Sequence, residues 1–521
     1  MTDVATQTAD ILINGIPFSE FIKNNTVESD ISVWDFLKDN SDTEHDTDSE
    51  NENANESNNI DVCTSISPSL SEQDVQGLRE SVLYCIDESV RNNPLSFSDP
   101  TFHIKLENSI YEIIEYTFSD ILFTGVVDIF RFTEDMENQI EEVINTCLEE
   151  YFENIVPPRS YPTTCILQPP NVAETIKKIE YLKSIPQDEQ RTAGWYIFRN
   201  KLITASAAWK VFKSESCINQ LIYEKCKPLA VNITANHDDV DDMEREKERE
   251  KDKEHIIVEK TFVNTNSPLH WGQKYEKLSV MLYEARNNTK VGEFGCIKHP
   301  KYDFLGASPD GINVDPASPL YGRMLEIKNV FNREITGIPI EEYWIQTQLQ
   351  MQVCDCDECD FLETCFKEYE DEAAFIYDSS SDIDAEFHLT SAKTLKGVIA
   401  YFIKDGKPFY EYAPLYLTRE EYDRWCEEII DKNAGITWLK NIYWYLNQYS
   451  CVLIRKNDIW FESAVKKIEN VWNTILKERE TGYEHRAPKK RTPKKKNNIV
   501  DEESTNDSGC LIVISDLELN I

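Results

Sequence analysis

Between residues 75 and 155 the apolar side chains recur in steps of three and four. Ile140, Val143, Ile144, Cys147, Leu148 and Tyr151 share one face, which is the spacing of an amphipathic helix. Five prolines between Pro157 and Pro170 then interrupt any regular element and read as a linker. From Asn171 to about Leu476 the pattern keeps changing. Short helices are predicted over 201–228 and 270–286, followed by strands over 291–297 (VGEFGCI), 304–314 (FLGASPDGINV) and 323–330 (RMLEIKNV). A helical pattern resumes over 341–353 (EEYWIQTQLQMQV). Residues 397–403 and 408–415 predict a hairpin turned at Asp405-Gly406, and 419–447 and 458–477 predict closing helices.

Polar stretches set the outer limits. Residues 40–59 hold Ala54 as their one apolar side chain and cannot offset the entropy of ordering, so disorder is expected there. Residues 237–256 alternate charges and read as an exposed insertion. The resulting division is 1–74, an acidic, largely disordered region; 75–156, a helical unit; 157–171, a Pro-rich linker; 172–478, the main α/β domain; and 479–521, a flexible tail, first basic and then acidic. No internal repeat is found.

At 521 residues the chain is too long for one hydrophobic core, and its 40% hydrophobic content is enough to fill two or three. The formal net charge of -40 opposes phosphate binding until it is located along the chain. Residues 1–60 hold fourteen acidic side chains against Lys23 and Lys38, so -12 falls on a segment set apart from any ligand site. The stretch 486–496, RAPKKRTPKKK, carries seven basic residues and no acidic one. It reads as a solubilising tail, or as a nuclear-import or nucleic-acid-tethering patch. The final CLIVISDLEL suits a strand added to a partner's sheet edge or a docked tail. MTDVATQTAD lacks the features of a secretory leader, and nowhere do eighteen apolar residues run together, so an intracellular, non-membrane protein is expected. Fourteen cysteines in so long a chain read as reduced thiols.

Candidate chemistry lies in RMLEIKNV. Glu326 and Lys328 are two apart and project from one strand face, expected to point to solvent, while Leu325 and Ile327 take the core side. If 304–314 and 323–330 pair antiparallel across the Asp315 to Arg323 loop, Asp310 reaches Glu326. Two carboxylates held close call for a cation between them, and oxygen ligands suit Mg²⁺ or Mn²⁺. Lys328 would then orient a water or stabilise charge on a phosphate. The competing reading is an ordinary salt bridge on an exposed strand.

Pro309-Asp310 followed by Glu326-Ile327-Lys328 resembles the signature of the PD-(D/E)XK nuclease superfamily, whose fold is a mixed central sheet flanked by helices. The neighbouring motifs resemble the phage lambda exonuclease type, the YqaJ-like viral recombinases. Trp271-Gly272-Gln273-Lys274-Tyr275-Glu276 is similar to the helix that supplies an additional acidic metal-site residue, which would be Glu276. Tyr343-Trp344-Ile345-Gln346-Thr347-Gln348 is similar to the helix whose first glutamine lines the active site, here Gln346. Trp195, Arg199, Thr204 and Ser206 fall in the family's W-x3-R-x4-T-A-S arrangement, where the arginine and serine bind a terminal 5′-phosphate. A guanidinium fork and a hydroxyl suit that task, although Ser206 alone also reads as a helix cap. The likeness covers about residues 190–415, and over 259–369 it is closest to versions from large eukaryotic DNA viruses.

The resemblance implies an α/β, restriction-endonuclease-like core. It implies Mg²⁺ or Mn²⁺ held by Asp310, Glu326, Glu276 and the Ile327 backbone carbonyl. The partners it implies are double-stranded DNA ends bearing a 5′-phosphate, a single-strand annealing protein, and further copies of the chain, three in the phage relative. The implied activity is 5′-to-3′ degradation of linear duplex DNA in viral recombination or repair, in the host nucleus or a cytoplasmic viral replication site. A structure-specific endonuclease and an inactive DNA-binding scaffold remain the alternatives. The insertion at 237–256 departs from the compact phage pattern.

Cys354, Cys356, Cys359 and Cys365 form a second candidate site, C-x-C-x2-C-x5-C. The last three resemble the group that holds an iron-sulfur cluster in some relatives, with Cys217, Cys226 or Cys296 as a fourth ligand; alternatively Cys354 completes a zinc site. Buried apolar packing competes with both, and the alternation of Cys354 and Cys356 with Asp355 and Asp357 fits a strand. His270 and His299, beside the motifs, read as packing or hydrogen-bonding residues. The absence of a G-x-S-x-G elbow, P-loop, dinucleotide fingerprint or H-E-x-x-H motif counts against acyl hydrolases, NTPases and zinc proteases.

Overall fold

The computed structural model describes residues 70–488 apart from 71, 123–133, 191, 230–264, 266 and 380–383, together with a backbone strand pair at 12–13 and 16–17. The acidic N-terminal stretch, the charged insertion and the basic run beyond residue 488 lie outside the described residues.

Three helices open the described chain: α1 (Glu72–Asn92), α2 (Phe102–Leu122) and α3 (Glu134–Asn154). The predicted stripe on α3 is the buried one, with Ile140, Ile144, Cys147 and Tyr151 packed in one cluster with Leu78, Val82 and Ile86 of α1. That cluster does not close on itself. It continues through Trp344 and Met351 to Trp460 and Ile468, so the helical unit and the main domain share one core.

The Pro-rich segment is correspondingly no loose spacer. Arg159 is buried and donates from Nη2 to the carbonyls of Ser98 (3.2 Å) and Pro339 (2.5 Å), while its own carbonyl accepts from Trp344 Nε1 (2.7 Å). Tyr161 N and Thr164 N donate to the carbonyls of Leu453 and Cys451. Prolines lack a donor but their neighbours keep theirs, which lets the segment line an open sheet edge.

The main domain continues with α4 (Val172–Ser184), α5 (Ala193–Asn200), β1 (Ile203–Thr204), α6 (Glu215–Cys226) and α7 (Pro268–Asn287). The strands β2 (Val291–Gly292), β3 (Ile297–Lys298), β4 (Leu305–Ala307), β5 (Gly311–Asn313) and β6 (Met324–Asn329) follow. Then come α8 (Glu341–Cys354), β7 (Glu358–Glu368), β8 (Lys396–Lys404), β9 (Lys407–Tyr412), α9 (Arg419–Lys432), β10 (Thr437–Arg455) and α10 (Asp458–Thr481). Seven strands form one sheet in the order β9-β8-β10-β7-β6-β5-β2, antiparallel except for the central β6–β7 pair. Three more form a small sheet, β1-β4-β3, with β1 parallel to β4. This is the mixed α/β architecture, a central mixed sheet flanked by helices, expected from the sequence.

Several elements differ from the expectation. The helix at 419 stops at Lys432, and 437–447 belongs to β10, where Ile442, Trp444 and Leu446 are buried at a period of two. Its Tyr and Trp content favours a pleated, half-buried surface, although the same run also fits a helical step. The predicted strand 304–314 is two strands in two sheets, broken at Ser308-Pro309-Asp310. Gly306 permits the tight small sheet, because a Cβ there would lie 2.5 Å from Leu202 Cδ1 and 3.0 Å from the Ile297 carbonyl oxygen. The tail expected from 479 begins as ordered chain, with Arg486 donating to both Glu478 oxygens (2.5 and 2.6 Å).

Two histidines, His299 buried and His103 half-buried, give the fold a pH limit. His103 Nε2 accepts from Arg159 N (3.0 Å), and His299 Nδ1 accepts from Lys301 N and Tyr302 N (3.0 and 3.1 Å). Burial, then the nearby cations Arg159 and Lys301, pull the two down to about 4 from the usual 6.5. Between these values the unfolded chain binds the extra protons, so stability falls as pH drops from about 6.5 toward 4. Urea unfolding across this range should lose midpoint steadily; a flat profile would show that neither ring is held neutral by the fold.

Candidate active site

β5 and β6 pair antiparallel with Gly311 opposite Leu325, which sets Asp310 beside Glu326 and Ile327. Asp310 Oδ2 accepts from the Ile327 amide at 2.7 Å. The return across residues 315–323 therefore works as the sequence suggested. Glu326, however, does not face solvent. It is 1% exposed, because α8 lies across that face of the sheet. Gln346 Nε2 donates to its Oε1 (2.6 Å), Gln350 Nε2 to its Oε2 (2.7 Å), and Lys328 Nζ forms an ion pair with Oε1. Leu325 and Ile327 do occupy the opposite face, against Tyr283, Leu320 and Leu362.

Lys328 keeps some solvent access, donates to Gln346 Oε1 (3.2 Å) and sits 4.8 Å from the centre of the Tyr343 ring. Burial works against its ammonium, but Glu326 and Asp310 outweigh that and hold its pKa above that of a free lysine. Asp310 is pushed well above the carboxylate range, first by burial and then by the Glu326 charge, with Lys328 opposing and Glu276 adding to the rise. Glu276 reaches this field from α7, which docks on the end of β6 where Asn329 bonds to Gly272 O (2.9 Å) and Ser279 Oγ (2.6 Å).

The donor set fits a divalent cation on chemical grounds. Hard carboxylate oxygens from Asp310 and Glu326, with Glu276 adding to the field, resist sharing negative charge in a buried place, and one lysine does not balance them. Among the described residues no three His, Cys, Asp or Glu side chains already stand at metal-ligand spacing.

The second cluster hangs from the small sheet. Arg199, near the end of α5, stacks on Trp195 (4.2 Å to the ring centre). Its Nη2 donates to Ser206 Oγ (3.2 Å) and Thr204 Oγ1 (3.4 Å), and its Nη1 to Ser308 Oγ (3.4 Å). Thr204 is the cap position of the short helix Ala205–Ala208, which leaves the exposed Ser206 hydroxyl free of a capping role. Lys225 Nζ and Arg479 Nη2 bond to the carbonyls of Arg199 and Asn200 at the end of α5 (2.8 and 2.9 Å), which fixes the arginine's origin. Burial draws the Arg199 pKa below its usual value, and this cationic pocket accordingly favours a bound anion. Because β1 pairs with β4, and β4 leads directly through Ser308-Pro309 to Asp310, pocket and carboxylates adjoin.

The sequence motifs thus converge, but Ser308, Gln350 and Asn329 escaped them. The i, i+4 spacing of Gln346 and Gln350 was the signal available for the second glutamine. His270 and His299 have the expected structural roles, His270 bonding to Tyr410 (2.6 Å). A cavity of about 1210 Å³ opens away from this centre, beside α3, α4 and Asp355–Glu358.

The cysteine site is corrected. Cys354 ends α8, Asp355 takes the left-handed conformation that stops it, and Cys359 and Cys365 lie six residues apart on β7, about 20 Å at strand rise. Burial pushes Cys356 up to about 12 and the Cys354 and Cys359 thiols well above their usual value, so these three are packed thiols in the core.

The family model of the YqaJ-like viral recombinase domain matches residues 194–357, the span that holds both clusters. The resemblance read from the motifs is therefore found again over the whole site. An uncharacterised protein of Acanthamoeba polyphaga mimivirus is 30% identical over 331 residues, covering 57% of this chain and 54% of its own length. The chain thus spans about half the length of that curated relative. Among solved structures, an alkaline exonuclease (LHK-Exo) from Laribacter hongkongensis aligns at 16% identity and a TM-score of 0.30, covering 56% of this chain and 95% of the other. The same enzyme in complex with dAMP aligns at 17% identity and 0.29, with the same coverage. Among the described residues no helix is long and apolar enough to cross a membrane.

Proposed function

We propose that the protein is a metal-dependent deoxyribonuclease that degrades linear duplex DNA from 5′-phosphorylated ends, in viral recombination or repair. The observation that carries this reading is the junction of two sites at Ser308-Pro309-Asp310: a buried carboxylate–lysine centre and a cationic, hydroxyl-lined pocket. Asp310, Glu326, Glu276 and the Ile327 carbonyl are the residues that would hold Mg²⁺ or Mn²⁺. When bound, such an ion activates the attacking water and neutralises charge on the phosphate.

The chain's own contribution is positional. Lys328, steadied by Glu326, Gln346 and Tyr343, is placed to orient the water with its Nζ protons and to stabilise the developing phosphate charge. Arg199, Thr204 and Ser206 offer a fork and two hydroxyls to a terminal phosphate. The enzyme alaternative is an endonuclease using the same centre, and the two differ in whether an end is required.

The test digests linear duplexes labelled at either 5′ or 3′ terminus, with and without a 5′-phosphate, beside a covalently closed circle. Mg²⁺-dependent release of 5′ label first, faster from phosphorylated ends, with the circle intact, is the expected result. Cut circles would favour the endonuclease, and no cleavage at all would favour the inactive scaffold. Arg199→Ala should raise KM for phosphorylated ends about 10- to 100-fold, the worth of charge-assisted hydrogen bonds of about 1.5–3 kcal/mol. Unchanged KM would remove Arg199 from phosphate binding.

A further inference from the structure

Gln350 occupies the seam between the two clusters. It is fully buried on α8, and its Nε2 donates both to Glu326 Oε2 (2.7 Å) and to the backbone carbonyl of Ser308 (3.2 Å). Both partners are acceptors, which fixes the amide orientation: only the NH₂ end can face them. The same residue Ser308 presents its hydroxyl to Arg199 Nη1 (3.4 Å). An unbroken path therefore runs from Arg199 through Ser308 and Gln350 to Glu326.

This arrangement has a cost. With NH₂ committed to Glu326 and Ser308, Gln350 Oε1 is buried with no hydrogen-bond partner among the described residues. A methionine of the same length would fill the space without that orphan oxygen, but would withdraw the donor from Glu326 Oε2 and the Ser308 carbonyl. Gln348, two residues earlier on α8 and equally buried, is satisfied at both ends, donating to Arg455 O (2.9 Å) and accepting from Asn457 N (2.8 Å). Backbone hydrogen bonding thus accounts for both ends of Gln348, whereas Gln350 gives its whole donor capacity to Glu326 and Ser308. Local rules tend to be broken where function requires it.

We infer that Gln350 is a positioning residue that couples occupancy of the Arg199 pocket to the placement of Glu326. An anion that draws on Arg199 also bears on the Ser308 hydroxyl, and any shift of the Ser308 backbone reaches Glu326 through the one shared amide. The inference deepens the nuclease reading and rests on it.

The whole 521-residue chain is tested on linear duplexes carrying 5′-phosphate or 5′-hydroxyl ends, with kcat and KM measured separately in Mg²⁺. The unchanged protein should prefer phosphorylated ends. Gln350→Met should lower kcat on phosphorylated ends by about 100-fold, the scale of a small misplacement of a reacting group, with KM little changed. On hydroxyl ends it should lose less, so that the preference collapses toward one. Ser308→Ala, which removes a half-exposed hydroxyl without opening the core, should reduce the same preference and provides the second arm if Gln350→Met folds poorly. Gln348→Met, a packing control, should lower the melting temperature and leave the preference intact. Equal slowing of both substrates by Gln350→Met, or a preference untouched by Ser308→Ala, overturns the coupling. A starting protein that cleaves both ends equally overturns it too, whereas one that cleaves neither instead overturns the nuclease reading.

Discussion

Lys328→Ala should leave duplex DNA bound while lowering Mg²⁺-dependent cleavage about 100- to 1000-fold, the usual cost of deleting one donor aimed at developing charge. Among the described residues the Nζ of Lys328 is the one cationic group paired with Glu326, and it keeps access to solvent. Glu326→Gln should be as damaging for a different reason. Lys328 Nζ, Gln346 Nε2 and Gln350 Nε2 all donate to the two Glu326 oxygens, so an amide at that position turns one NH₂ toward a donor and loses a charge as well. Mobility-shift binding and single-turnover cleavage separate the effects. Cleavage at the unchanged rate in either variant would sink the assignment of this centre.

Arg323→Met should cost about 3–5 kcal/mol of stability, the range for removing one partner from a buried ion pair. The Arg323 guanidinium spans Glu358 (2.6 Å) and Asp360 (3.2 Å), with its side chain 3% exposed and that of Asp360 fully buried. Thr164 Oγ1 and Tyr283 OH also donate to Asp360, both at 2.6 Å, but hydroxyls cannot balance its charge. The loss would reach the candidate active site, because Asp360 on β7 pairs with Leu325, the residue before Glu326. Urea unfolding measures the penalty. Arg323→Met combined with Asp360→Asn should recover part of it, and a double variant no more stable than the single one would show that the pair is not the cause.

The order and spacing of the chemical groups were legible from residues alone. Asp310, Glu326 and Lys328 follow from a period of two and a short return between strands, and both features are local. Arg199, Thr204 and Ser206 were legible as a motif, and α5, β1 and the following short helix place them as a unit. The misreadings share another origin. Residues 437–447 fit a helical period although their burial alternates, since a Tyr/Trp-rich run presents apolar surface at either step. The proline segment at 157–171 looked detached because its contacts, Arg159 with Pro339 and Tyr161 with Leu453, join residues 180 or more positions apart.

The sequence by itself determined which candidate side chains come together and which strand face they share, because pleat and turn act over a few residues. Only the tertiary structure decided that Glu326 is buried, that Gln350 and Ser308 link it to Arg199, and that the four cysteines serve the core or stand apart. Those outcomes depend on α8 lying across β6 and on two sheets meeting at Pro309. Such packing is selected by the burial of the whole apolar surface, a sum over distant residues that no local pattern contains.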